Sequence, residues 1–212
     1  MQINPEFEGS VLPTALALPV RWDEHAARWI SHIASPPVVG LLGLGLTARS
    51  INTALGWMWT GYYCLLTIVI PVMYVLWKVH RGEITDFHMK VRSQRIRPMS
   101  LMLGSAFTGW MSLWLGNAPA VLTVFSAMGF FLLAVLLVVT LRWKISGHSA
   151  AIAGLAIFLY GLYGAPAAVC GLAIPLVAWA RLRLRRHTLM QTVFGSLSGI
   201  LFMLIIFSLV SF

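Results

Sequence analysis

The sequence predicts an all-α polytopic membrane bundle of six or seven transmembrane helices. Of the 212 residues, 59% are hydrophobic and only 10% charged, too little polarity to coat a water-soluble domain. Apolar runs close to the ~20 residues that cross a bilayer recur along the chain, separated by short basic stretches.

The chain opens with an N-terminal segment, residues 1–28, ahead of a transmembrane domain over 29–212. Glu6 and Glu8 stand where a signal peptide carries a basic run, so a cleaved leader is not expected. Residues 15–29, with Arg21, Trp22, Arg28 and Trp29, read as a segment lying at the membrane interface. Candidate spans follow at Trp29–Thr47, Thr53–Val79, Pro98–Leu115, Pro119–Trp143, His148–Tyr163, Ala165–Ala180 and Thr188–Phe212. Pro36 and Pro37 break the first, which makes it partly interfacial, and the fifth and sixth are short. Ala150, Ala151 and Gly154 in the fifth, and Gly195 and Gly199 in the last, allow close helix approach, expected as internal packing rather than dimerisation.

Charge narrows the chemistry. The net charge is +9, and the six acids are Glu6, Glu8, Asp23, Glu24, Glu83 and Asp86, so no carboxylate follows Asp86. Paired-carboxylate hydrolysis, carboxylate-bound magnesium and Ser-His-Asp triads are excluded from that half. Cys64 and Cys170 lie inside apolar runs without metal-ligand spacing and read as buried thiols. No metal, cofactor or nucleic-acid partner is expected. The spans hold no intramembrane acid and no internal repeat, which argues against an ion-coupled transporter.

Three polar stretches, 80–98, 142–149 and 180–187, fall after the second, fourth and sixth segments. An even number of crossings separates each from the next, so all three emerge on one membrane face. They offer Lys90 and Arg97-Pro98, then Ser146-Gly147-His148, then Arg181 and His187. Cations, a hydroxyl and a glycine amide suit a tetrahedral anion through charge-assisted hydrogen bonds. His148 opens a helix, whose N-terminal amides favour an anion. One histidine can attack phosphorus while the other protonates the leaving oxygen.

In their order and spacing, "KVRSQRIRP" (90–98), "ISGH" (145–148) and "ARLRLRRHTLMQ" (180–191) resemble the three motifs of the type 2 phosphatidic acid phosphatase superfamily. The resemblance spans roughly residues 50–212. It implies a phosphatase site at one membrane face, with His187 as the nucleophile that forms a phosphohistidine and His148 as general acid and later base. Lys90, Arg97, Ser146, Gly147 and Arg181 would bind the phosphoryl group, without added metal. Ile145 stands where the family has proline, and Ala180 where it has serine. Gln191, four residues after His187 and on its helical face, replaces an aspartate and keeps the hydrogen bond to the imidazole without the charge. Its "HTxxQ" form is similar to the dolichyl-diphosphate phosphatase branch, which points to a membrane lipid substrate of polyprenyl phosphate or diphosphate type.

Alternatives on the same scaffold are a lipid phosphotransferase, a phosphatidic acid or phosphatidylglycerophosphate phosphatase, and a catalytically dead lipid-binding relative. An anion or lipid transporter is the rival from another class, but transport needs no nucleophile. Arg92 and Arg95 read as solvated or headgroup-facing cations, with a second phosphate contact as the alternative, and Arg183, Arg185 and Arg186 as headgroup anchors, each worth about 1 kcal/mol at an anionic surface. His25, His32 and His80 read as interfacial, and Asp86 and His88 as orienting the first loop. Of the fifteen Lys and Arg, only Arg49 falls on the opposite face. The protein is expected to be integral to the cell membrane, and the positive-inside rule predicts a cytoplasmic motif face.

Overall fold

A computed structural model describes residues 21–84 and 93–209, and every regular element among them is helical. The helices are α1 (Trp22–Ile33), α2 (Pro36–Ile51), α3 (Ala54–Cys64), α4 (Ile70–His80), α5 (Ser93–Leu115), α6 (Ala120–Arg142), α7 (Gly147–Tyr163), α8 (Ala173–Arg183) and α9 (Leu189–Leu209). A π-helical turn, Leu65–Val69, joins α3 to α4, and a 3-10 helix, Ala165–Leu172, precedes α8.

Four segments are long and apolar enough to cross a membrane: Ala54–His80, Ala120–Arg142, Ala165–Arg183 and Leu189–Ser208. The pair α1 and α2, bent by 52°, makes a fifth if counted as one broken span. The break falls at Ser35, where Pro36 and Pro37 open α2 at positions that need no amide donor. Helix α1 runs through residue 28 to Ile33.

Local chemistry explains the irregular joints. Pro71 lacks the N–H that a continuous α-helix would use, and the chain absorbs it one turn earlier: Ile70 N–H reaches back five residues to Leu65 O. The segment Ala165–Arg183 has only 19 residues. Winding its first eight as a 3-10 helix, at ~2.0 Å per residue, lengthens it to about 32 Å, enough for the hydrocarbon core.

The closest helix packing is between α7 and α9, and small residues cause it. A Cβ on Gly195 would stand 2.6 Å from Ser146 O, and Gly199 allows an even closer approach to Ala150 O. The GxxxG pair therefore serves internal packing, as expected. The core beneath it is apolar, with Phe125 and Phe158 edge to face at 5.0 Å and Leu44, Leu122 and Met203 buried around them. Outward-facing Phe194, Leu197, Leu201, Leu204 and Ile205 leave an apolar flank on α9, suited to lipid rather than water.

Candidate active site

Ends of four helices converge on one cavity of about 330 Å³. Arg95 at the start of α5, Gly147 and His148 at the start of α7, Arg181 near the end of α8 and His187 before α9 all line it. Residues from all three polar stretches thus meet at one end of the bundle. Below them the walls turn apolar, through Met99, Met102, Leu132 and Leu136, toward Leu44 and Phe125 deep in the core.

The third stretch is the most tightly organised. Thr188 caps α9: its hydroxyl accepts from Gln191 N–H at 3.4 Å, and Gln191 Oε1 accepts from Thr188 N–H at 3.3 Å. This reciprocal capping box is spelled T-x-x-Q in the sequence. Gln191 Oε1 also lies 3.0 Å from His187 Nδ1. Since the Thr188 amide can only donate, the shared atom is the carbonyl oxygen, and Nδ1 must donate to it as well. His187 therefore carries its proton on Nδ1 and keeps the Nε2 lone pair.

The electrostatics agree with a neutral imidazole. His187 is 7% exposed, and burial is the main reason that its pKa falls to about 3; Arg181, Arg95 and Lys144 push it the same way, while Gln191 opposes them. An unfolded chain would take up that proton near 6.5. Folding stability is therefore lost as pH falls from about 6.5 toward about 3. Thermal melts in detergent should show a lower midpoint at about pH 5 than at about pH 7, and His187→Gln should narrow the gap.

The second stretch serves by backbone as much as by side chain. Ser146, expected to bind phosphate, instead caps α7: its buried hydroxyl accepts from Ser149 N–H at 3.3 Å and lies 2.9 Å from Ser149 Oγ. Its amide donates to Gln191 O at 3.1 Å, tying this motif to the turn that holds His187. Gly147 is the first residue of α7 and lines the cavity, and its amide lies beyond the reach of the helix's own carbonyls. His148 is 8% exposed in the same wall. Ile145 occupies a proline position of the resembling family and packs with Leu132 and Leu136, anchoring the loop by burial.

The first stretch differs from expectation. Arg97 is exposed and does not line the cavity, whereas Arg95 does. Helical geometry explains the exchange: Arg95, Met99, Met102 and Ala106 form one i, i+4, i+7, i+11 stripe facing the cavity, and two residues later the helix has turned about 200°. Lys90 lies outside the described residues, as do Arg92, Asp86 and His88.

Lys144 was not anticipated as a site residue. Burial, then Arg95, Arg181 and Arg186, hold its ammonium below the ordinary lysine range, so these cations share one field. Its position two residues before Ser146 was the available signal. The charges acting on His187 and Lys144 are all positive, and such a cluster calls for an anion.

Arg181 is 2% exposed and donates to Ser31 Oγ of α1 at 2.6 Å, while its Nε has no partner among the described residues. Arg183 pairs with Asp23 of α1 at 2.9 and 3.1 Å. The acid that the later arginines lack thus comes from the N-terminal helix, and Arg183 is an interhelix tie rather than a headgroup anchor. Among the described residues no group of three or more His, Cys, Asp or Glu comes together. No family model, curated protein or solved structure matches the chain.

Proposed function

We propose that the protein is a membrane lipid phosphatase that hydrolyses a lipid phosphomonoester or diphosphate, with polyprenyl (di)phosphate as the favoured substrate, through a phosphohistidine at His187. The observation that carries this reading is the single cavity lined by His187, His148, Arg181 and Gly147 at one end and by apolar side chains below. A lipid's phosphate suits the first part and its tail the second.

Nε2 of His187 attacks phosphorus as the bond to the lipid oxygen breaks, and His148 protonates that oxygen. His148 then takes a proton from water, whose oxygen attacks the phosphohistidine and releases phosphate. Arg95, Lys144, Arg181 and the Gly147 amide offset the charge on the phosphoryl oxygens, and Lys90 is proposed to join them. Gln191 holds the imidazole in the reactive tautomer.

Purified protein given polyprenyl diphosphate, phosphatidic acid and phosphatidylglycerophosphate in chelator should release phosphate, fastest from the first. Absence of release from all three contradicts the reading. Gln191→Glu keeps the capping box and adds the missing charge. The acid limb of the rate profile should move up from about pH 3, with kcat rising on the order of tenfold and KM rising as the anion is repelled.

We further propose six or seven crossings, with α5 and the 17-residue α7 spanning although their length or polarity is marginal, and the active-site face cytoplasmic. A reporter fused after Phe212 should then read the non-cytoplasmic side if there are seven.

A further inference from the structure

On the other side of Arg181 lies a second cavity, of about 820 Å³, between α1 and the turn from α8 to α9. Its wall is basic: Arg28, Arg181, Arg183, Arg185 and Arg186 line it beside a single acid, Glu24. That acid is engaged, lying 3.7 Å from Arg183, which already holds Asp23. None of Arg28, Arg181, Arg185 and Arg186 forms an ion pair among the described residues.

Like charges gathered without counter-ions repel, and an anion bound among them would offset that repulsion. Two of the guanidiniums are held ready for one. Arg181, 98% buried by its 2% exposure, leaves Nε without a partner, and a buried Nη1 of Arg186 is likewise unpartnered among the described residues. The third observation is backbone strain. Arg185 adopts φ +51°, a left-handed conformation that glycine enters freely and arginine does not. A turn needing only that geometry would be better served by glycine.

We propose that this chamber is a second oxyanion site, distinct from the cavity that holds His187 and joined to it through Arg181. It takes a phosphate-bearing group, and four arginines suit its several charged oxygens. The group comes from one of two sources: phosphate passing between the reaction site and water, or the headgroup of a neighbouring anionic lipid. Trp22 and Trp29 are exposed on α1, the helix that supplies Glu24 and Arg28 to the chamber, and exposed tryptophans favour the membrane interface, where both sources are within reach. Its role as an exit for product rests on the phosphatase reading; its affinity for an oxyanion does not.

The test uses the full chain in nanodiscs of phosphatidylcholine, with and without phosphatidic acid. Calorimetric titration with inorganic phosphate and with pyrophosphate reads the free-anion source, and the rise in thermal midpoint caused by phosphatidic acid reads the headgroup source. Arg185→Gly combined with Arg186→Gln should weaken anion binding about tenfold or more, or remove the phosphatidic acid effect. Arg28→Gln, from the opposite wall, should weaken it in the same direction. Arg185→Gly alone should not lower the thermal midpoint without ligand, because glycine suits that backbone. His187→Ala should abolish turnover yet keep the chamber's anion affinity, so failure of the phosphatase reading and failure of this proposal register separately. Equal phosphate, pyrophosphate and phosphatidic acid responses in the wild type and the double variant would overturn it.

Discussion

His187→Ala is expected to reduce phosphate release by about 10⁴-fold or more, with the folded helical content retained. In the proposed reaction the imidazole is the nucleophile, and a hydrogen-bond chain defines its lone pair: Thr188 N–H requires the Gln191 oxygen, that oxygen requires the Nδ1 proton, and Nε2 is left free. Burial and neighbouring cations hold its pKa to about 3. The imidazole is therefore neutral throughout the physiological range, and the proposed reaction should lack the acid limb near 6.5 that an ordinary histidine would impose. Alanine removes the attacking atom and relieves the cost of burying an imidazole, so the variant should be at least as stable as the wild type in mild acid. Rate measurements beside melting curves check both halves of this expectation.

Gly199→Val should be the most damaging change away from the cavity. A Cβ at Gly199 would overlap Ala150 O and stand 2.8 Å from Gly154 N, and both obstacles are backbone that cannot rotate aside. Helix α9 must then move away from α7. His187 precedes α9 and His148 belongs to α7, so the displacement separates the proposed nucleophile from its proposed acid. A misplacement of ~1 Å costs on the order of 10²-fold in rate, and the lost close packing should lower the thermal midpoint as well. Gly171→Ala is the matching control, since a Cβ there meets nothing within 4 Å. Equal activity in Gly199→Val and the wild type would show that the α7–α9 contact does not set the site's geometry.

Most helix positions were legible because apolar run length is a local property. The second, fourth, fifth and seventh candidate spans correspond closely to α3–α4, α6, α7 and α9. The conformations at the joints were less so. Pro71 signals an interruption, but a π turn that keeps the span continuous depends on packing around it. Pro36 and Pro37 marked the break between α1 and α2, while the course of α1 against α8 rests on Asp23, Ser31, Arg181 and Arg183 meeting across more than half the chain.

At the site, motif spacing pointed to His148, Gly147, Arg181 and His187, which share one cavity, because an even number of helices separates the stretches that carry them. It did not distinguish Arg95 from Arg97. Both belong to one basic run, and only the direction in which α5 packs decides which reaches the cavity. Ser146 looked like a phosphate donor because hydroxyls serve both phosphates and helix caps; the helix beginning at Gly147 claims it. Gln191 looked like a weakened aspartate, yet its greater length lets one oxygen serve the Thr188 amide and the His187 imidazole together.

The phosphoenzyme itself is the most direct measure of the central claim. Protein incubated with polyprenyl diphosphate carrying labelled terminal phosphate, quenched and digested, should yield one labelled peptide containing His187. The bond should be acid-labile and base-stable, as a phosphoramidate is, and no label should remain in His187→Ala. Label on any other residue, or phosphate release from His187→Ala at the wild-type rate, would contradict the account.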